Sequence, residues 1–306
     1  MKMFHLPLVA FLVAATVLCG TTADASVVAY WRFDDQADGS RLLAQEGSTV
    51  PGTFTVTADY SGNGNDLRTF NNPPPPVQTS GLFVSSVPGS PIPQTGAPNI
   101  RSVLFEGGQD FYTVGGAPLT TFAPSGDFTI EASFTNSNPD NGFRTFLGRD
   151  RENNDAPAGR LFYQLSGVNG GLRVALDDSA GVTRVIESSF VPDLNTWYNT
   201  TVVSSGTTLS LYLQNPDQSW SVLGTSETAG GLVSTASPTT WTVGRGWFGG
   251  PADFWQGGVD EVRISDTALS TSEFLWSIPE PGTVTLLGWA AGALLCHRRS
   301  RRPCRA

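Results

Sequence analysis

Up to residue 266 the chain never sustains the 3.6-residue apolar period of a helix. It alternates apolar and polar side chains over short runs, and Gly, Asn, Asp or Pro breaks each run. The runs cover residues 27–33, 102–105, 128–135, 145–149, 161–166, 171–176, 183–188, 197–204, 209–214, 240–244 and 258–264. A series of short strands at roughly 10-residue spacing can bury a core only by stacking sheets. The expectation is all-β: two antiparallel sheets packed face to face in one unit spanning 26–277. The only helix signal there is Ser270-Thr271-Ser272-Glu273, a capping box followed by Phe274, Leu275 and Trp276, enough for one or two turns. Residues 71–98 carry Pro73–Pro76, Pro88, Pro91, Pro93 and Pro98 with little charge, and read as an extended surface loop inserted in the sandwich.

The two ends follow different rules. Lys2, an apolar run over 6–18 and the small residues Ala23 and Ala25 form a secretory signal peptide over 1–25, with an apolar run too short to span a bilayer. At the other end, Pro279-Glu280-Pro281 precedes an apolar stretch over 283–296 and then Arg298, Arg299, Arg301, Arg302 and Arg305. Such a basic block would stay on the cytoplasmic side of a membrane. This tripartite end, 278–306, resembles the PEP-CTERM sorting signal of Gram-negative bacteria. The resemblance implies transient membrane insertion through a short C-terminal helix and cleavage near Pro279-Glu280-Pro281 by an exosortase-type protease. It also implies delivery to the cell surface or an exopolysaccharide (biofilm) matrix.

Composition narrows the chemistry. No His, Cys, Lys or Met occurs from Thr21 to Leu295. Ser-His-Asp and Cys-His catalysis therefore have no base, zinc has none of its usual N and S ligands, and a Schiff base has no amine. Residues 26–277 hold 12 arginines against 25 carboxylates, a net charge of −13. That argues against nucleic acid, which selects a basic face.

Several segments recur in a recognisable order. They are Val28-Ala29-Tyr30-Trp31-Arg32-Phe33-Asp34, then Asp59-Tyr60-Ser61-Gly62-Asn63-Gly64-Asn65-Asp66, then Ser102-Val103-Leu104-Phe105-Glu106-Gly107 and Asp127-Phe128-Thr129-Ile130-Glu131-Ala132. Trp197-Tyr198-Asn199-Thr200-Thr201-Val202-Val203 follows, with Leu211-Tyr212-Leu213, Val243-Gly244-Arg245, and finally Gly257-Gly258-Val259-Asp260-Glu261-Val262-Arg263-Ile264-Ser265. The ordered set resembles the bacterial laminin-G-like domains of the concanavalin A-like lectin/glucanase superfamily. It implies a jelly-roll β-sandwich with its termini close together.

Carboxylates remain as chemistry. Glycosidases of that superfamily place paired Glu on one strand, facing one way. This chain has no Glu-x-Asp-x-x-Glu cluster, and the adjacent Asp260 and Glu261 should face opposite sides of a strand unless a bulge intervenes. No catalytic residue is assigned. Family members often bind calcium through loop oxygens, which implies Asp59, Asn63, Asn65 and Asp260 as Ca²⁺ ligands, with Asp34 and Asp35 as further possibilities. The alternative is that Asp59–Asp66 forms Asx turns. Sugar stacking needs exposed rings, and the Gly-rich segment 247–255 offers Trp247, Phe248 and Trp255, unless these close the sandwich edge. Trp31, Trp197 and Trp241 are expected in the core. The reading is an exported, non-catalytic protein that binds glycan or protein partners, with possible help from calcium. The rivals are a purely structural matrix protein and a carbohydrate-active hydrolase or lyase.

Overall fold

A computed structural model describes residues 26–41, 57–69, 81–113, 116–150, 159–235 and 238–279. The expected signal peptide and the sorting segment from Glu280 onward lie outside the described residues. Two antiparallel sheets face each other. The first orders β13 (Trp220–Glu227), β12 (Thr208–Gln214), β11 (Tyr198–Ser205), β6 (Phe128–Phe134), β17 (Gln256–Ser265), β4 (Ser102–Glu106) and β3 (Leu82–Val84). An eighth strand, β1 (Val27–Trp31), also pairs with β17. The second, seven-stranded sheet orders β10 (Thr183–Glu187), β9 (Leu172–Asp177), β8 (Leu161–Leu165), β7 (Arg144–Asp150), β14 (Thr240–Val243), β5 (Phe111–Thr113) and β2 (Leu67–Thr69). A small hairpin, β15 (Gly246–Trp247) with β16 (Pro251–Ala252), follows β14.

The alternation read in the sequence is the alternation of inward and outward side chains. Leu161, Tyr163 and Leu165 point into the sandwich, as do Leu172, Val174 and Leu176 on the neighbouring strand. The two sheets meet through aromatic rings. Phe134 of β6 stacks on Phe146 of β7 at 4.8 Å with an interplanar angle of 11°, and Tyr163 lies 4.6 Å from Phe146. Trp31 and Trp241 are fully buried, as expected, and each indole N–H finds a backbone carbonyl, on Asn65 and Leu119 respectively. Trp197 departs from expectation. It is only half-buried, lying on the outside of the eight-stranded sheet over Gly258 and donating to the Ser86 hydroxyl.

Further corrections apply to the 71–98 loop and to the strand pattern. Within the expected 71–98 loop, Leu82–Val84 pairs with β4, and Ile92 is buried against Leu275 and Trp276. The strands β2, β5 and β13 and the β15–β16 hairpin also had no clear alternation to announce them. The capping box at Ser270 is as expected: it makes a single turn, of 3-10 type, Thr271–Glu273, with the Glu273 carboxylate accepting from the Ser270 backbone N–H at 2.8 Å.

β17 is the spine of its sheet. β6 flanks one edge throughout, while the other edge is shared, β4 along Gln256–Val259 and β1 along Val262–Ser265. Its start needs a glycine. Gly257 sits at φ +143°, and a Cβ there would fall 1.9 Å from the Thr135 carbonyl oxygen. Because the obstacle is backbone, Gly257→Ala is expected to cost about 2–3 kcal/mol or more. Chemical denaturation would show this as a lower midpoint at unchanged slope.

Candidate functional site

The outward row of the seven-stranded sheet follows from its register. Pairings place Val185, Ala175, Phe162, Gly148, Thr242, Tyr112 and Arg68 side by side across all seven strands. Next to it runs a shorter row, Thr145, Gln164, Arg173 and Glu187. The chain leaving β14 crosses this face. A Cβ on Gly148 would lie 2.8 Å from the Arg245 carbonyl oxygen, so only glycine lets the crossing segment settle on the sheet. From there the β15–β16 hairpin rises, with its tip at Phe248.

The hairpin root is pinned by charge. Arg245 pairs with Asp110 while its guanidinium lies 5.6 Å from the Trp247 ring centroid. Burial raises the Asp110 carboxyl, and Arg245 opposes that shift. On the other flank, the Asp253 carbonyl accepts from Thr145 N–H at 2.8 Å, and burial raises the Asp253 carboxyl against the pull of Arg173. Three buried donors around this surface have no hydrogen-bond partner among the described residues: Trp247 Nε1, Arg68 Nε and Arg173 Nε. Arg173 Nε is 3.6 Å from a Glu187 oxygen, an ion-pair distance too long for a hydrogen bond. The face thus combines half-buried rings at Tyr112, Phe162 and Trp247 with unpaired N–H groups.

Of the three expected ligand aromatics, the structure separates one from the other two. Phe248 is 87% exposed and Trp247 is half-buried beside it. Trp255 is a core residue, 0% exposed, edge-on to Phe134 at 5.8 Å and to Phe146 at 5.2 Å. It cannot touch a ligand, because the chain has re-entered the sandwich by that point. Arg68, Tyr112, Phe162 and Arg173 were missed from sequence. Alternation alone does not say which of Leu161, Phe162 and Tyr163 faces out.

The expected calcium ligands fall in two places. Asp59, Asn63 and Asn65 come together on one flank of β1, and Asp260 lies on β17 along the other. The Asp59 carboxylate accepts four hydrogen bonds, from the N–H groups of Tyr30 (2.9 Å), Ser61 (2.9 Å) and Asn65 (3.0 Å) and from the Ser61 hydroxyl (2.8 Å). Asn63 and Asn65 turn their amide N–H groups to the Val28 carbonyl, and the Asn65 side-chain oxygen accepts from Leu119 N–H at 2.7 Å. These groups latch β1 to the sandwich by Asx-type bonding, with the side-chain oxygens of Asp59 and Asn65 already accepting protein N–H or O–H groups. Asp35 similarly accepts from Ala58 N–H and the Tyr60 hydroxyl. Among the described residues, no group of three or more His, Cys, Asp or Glu is disposed to hold a metal. The residues as placed do not fit a calcium cage.

Asp260 and Glu261 overturn a different expectation. A bulge does intervene where β4 gives way to β1, and Glu261 adopts φ +49°. Both side chains therefore share the outer face of the eight-stranded sheet. They are nevertheless 0% exposed, sealed beneath the 98–101 segment. Asp260 accepts from Asn99 at 2.7 Å, and Glu261 from the Tyr30 hydroxyl and, at 3.5 Å, Arg32. Asp34 lies alongside, bound to Arg32 at 2.6 Å and to the N–H groups of Ile100 and Arg101. Burial pushes Glu261 up to about 7, and burial plus the neighbouring Glu261 charge lifts Asp260 well above the carboxylate range. In this position the pair ties β1 and the 98–101 segment to β17.

A two-sheet antiparallel sandwich with an aromatic hairpin over one outer face has the architecture of a lectin-like domain. A family model of the laminin G type, described as the concanavalin A-like lectin/glucanases superfamily, matches residues 106–274, more than half of the chain. The chain belongs to that superfamily. Among solved structures, domain 4 of AbnA, a GH43 extracellular arabinanase from Geobacillus stearothermophilus, in complex with arabinotriose, is similar with a TM-score of 0.53 and 14% identity. That alignment covers 81% of this chain and 96% of that one. The binding domain of Paraclostridial Mosquitocidal Protein 1 is similar with a TM-score of 0.50 and 14% identity, over 81% of this chain and 50% of that one. At these identities the likeness is one of fold. No curated protein sequence matches the chain.

Proposed function

We propose that this is an exported, non-catalytic glycan-binding protein whose ligand lies on the outer face of the seven-stranded sheet against the Trp247–Phe248 hairpin. One observation carries the reading: a ring with 87% of its surface in water sits beside an indole whose N–H has no protein partner. A phenyl ring so exposed gains nothing for the fold, whereas it can stack on a sugar's C–H face. The arabinotriose complex of the structurally similar arabinanase domain supports arabino-oligosaccharides as first probes. The signal-peptide pattern and the Pro279-Glu280-Pro281 segment support export, sorting by an exosortase-type enzyme, and a surface or exopolysaccharide location.

The test is a glycan array probed with the purified full-length chain, with Ca²⁺ and with chelator. Saturable hits that persist in chelator are the expected outcome, since the Asp59 cluster is closed on itself. Hits lost in chelator would restore a cation to the site. Absence of hits in both conditions would favour a purely structural matrix role, and product release from a polysaccharide panel would favour a hydrolase or lyase. Trp247→Ala with Phe248→Ala should weaken binding to the best hit by about 100-fold, in line with base–aromatic stacking energies of about 1–3 kcal/mol per ring elsewhere. Because Phe248 touches little, Phe248→Ala alone should change stability by no more than about 0.5 kcal/mol.

A further inference from the structure

A shallow, open cleft of about 470 Å³ lies at the same end of the sandwich but on the other sheet. Its walls are the end of β4 (Leu104 and Glu106), the start of β17 (Gln256) and the 137–140 loop. Gln256 is held rigidly. Its amide N–H donates to the Glu106 carbonyl at 3.1 Å, its side-chain oxygen accepts from Asn138, and its backbone carbonyl accepts from Ser137 N–H at 2.9 Å. The loop is fixed from below by Arg144, 7% exposed, which donates to the carbonyls of Asn138 (2.8 Å) and Asp140 (2.5 Å). A further turn bond runs from Asp140 N–H to the Asn138 side-chain oxygen at 2.7 Å. The cleft is therefore built in advance, on strand ends and a braced loop, with no rearrangement needed to admit a ligand.

We propose that this cleft is a second ligand site, for an uncharged sugar residue. Its polar lining comprises the Glu106 and Asp140 carboxylates together with the hydroxyl and amides of Ser137, Asn138 and Gln256. Amides and hydroxyls both donate and accept, and the carboxylates accept only. A ring of vicinal hydroxyls can donate to the carboxylates and accept from the second N–H of each amide; an ammonium, which only donates, uses the carboxylates alone. An acidic sugar is disfavoured twice, by the two carboxylates and by the net charge of −13 over residues 26–277. Leu104 and Pro139 supply apolar surface for the sugar's C–H groups. Arg41 holds Glu106 at 2.8 Å and so fixes the carboxylate at the rim of the cleft. The ligand class rests on the glycan reading above; the location does not depend on the hairpin. With two sites on two sheets, one molecule can link two glycan chains.

The experiment is calorimetric titration of the full-length chain with arabinotriose, xylotriose and a galacturonate trimer, in four forms: unaltered, Trp247→Ala/Phe248→Ala, Asp140→Ala, and all three substitutions combined. Asp140 is exposed and its hydrogen bonds within the loop are backbone ones, while the charge of its carboxylate favours the Arg144 guanidinium below; Asp140→Ala should therefore lower the melting temperature only slightly, which is checked in parallel. Expected is a neutral trisaccharide bound by the hairpin-altered chain with one site, weakened at least about tenfold by adding Asp140→Ala, a typical loss for a hydrogen bond to a charged group. The galacturonate trimer should bind that site more weakly than the neutral ones. Several outcomes would overturn the second site: no trisaccharide binding to the hairpin-altered chain, binding indifferent to Asp140→Ala, or preference for galacturonate. If the unaltered chain binds and only the hairpin substitutions abolish it, the second site falls and the first stands. If Asp140→Ala alone removes all binding, the first falls and the second stands.

Discussion

Trp255→Ala is expected to lower the unfolding free energy by about 3–5 kcal/mol, the usual range for emptying a buried large aromatic site. Against a total of roughly 5–15 kcal/mol for a domain, that is a large share for one residue. The indole is fully enclosed and stands edge-on to Phe134 and Phe146, which belong to opposite sheets. Removing it therefore opens a void where the sheets are held together, rather than at a rim that can collapse. Its backbone N–H also donates to the Gly244 carbonyl at 2.8 Å, fixing the return of the hairpin into the core. Urea unfolding would report a large drop in midpoint. The contrast with Phe248→Ala, a few residues away, is the sharper measurement: one substitution should affect stability and the other binding. A Trp255→Ala protein of near-normal stability that has lost glycan binding would mean the ring belongs to the site after all.

These two residues show where the sequence was legible and where it was not. Strands such as Phe128–Phe134 and Leu172–Asp177 were readable because a strand of six or seven residues repeats its alternation several times. Leu67–Thr69, Leu82–Val84 and Phe111–Thr113 have three residues each, too few to show a period. Trp220–Glu227 is an edge strand in which no residue is fully buried, so nothing forces its two faces to differ. In the site, the aromatic richness of residues 247–255 was visible, but which ring faces water depends on where the chain crosses Gly148 and turns back. That is a tertiary fact. The bulge at Asp260–Glu261 was equally invisible, because it arises where β17 exchanges one neighbouring strand for another.

That bulge has a measurable consequence. Asp34, Asp260 and Glu261 are gathered around Arg32 as their nearby cation, and two of the three are sealed from water. Glu261, held at about 7 chiefly by burial, binds a proton in the folded state over a range where the unfolded chain, near 4.5, has released it. Stability falls with rising pH wherever the native state binds more protons. The contribution is therefore greatest below about 4.5 and is lost as pH rises through about 7. Asp260, lifted by burial and by Glu261, acts in the same direction, as do buried Asp110 and Glu131. For Glu261 alone the span corresponds to about 3 kcal/mol, or roughly 6–12 °C in melting temperature for a domain of this size. Toward stronger acid the sign reverses. Asp178, held down by its bonds to Ala229, Val182 and Arg184, and Glu273, held down by Ser270, lose their stabilisation once protonated. Melting temperature should accordingly peak near pH 5 and decline toward pH 8. Glu261→Gln preserves an acceptor for the Tyr30 hydroxyl and removes the titration, so it should shrink the difference between pH 5 and pH 8 and raise the melting temperature at pH 8. A melting temperature that climbs steadily from pH 5 to pH 8 would show that Arg32 and Tyr30 hold these carboxyls ionised in the fold, and that the cluster acts as an ordinary ion pair.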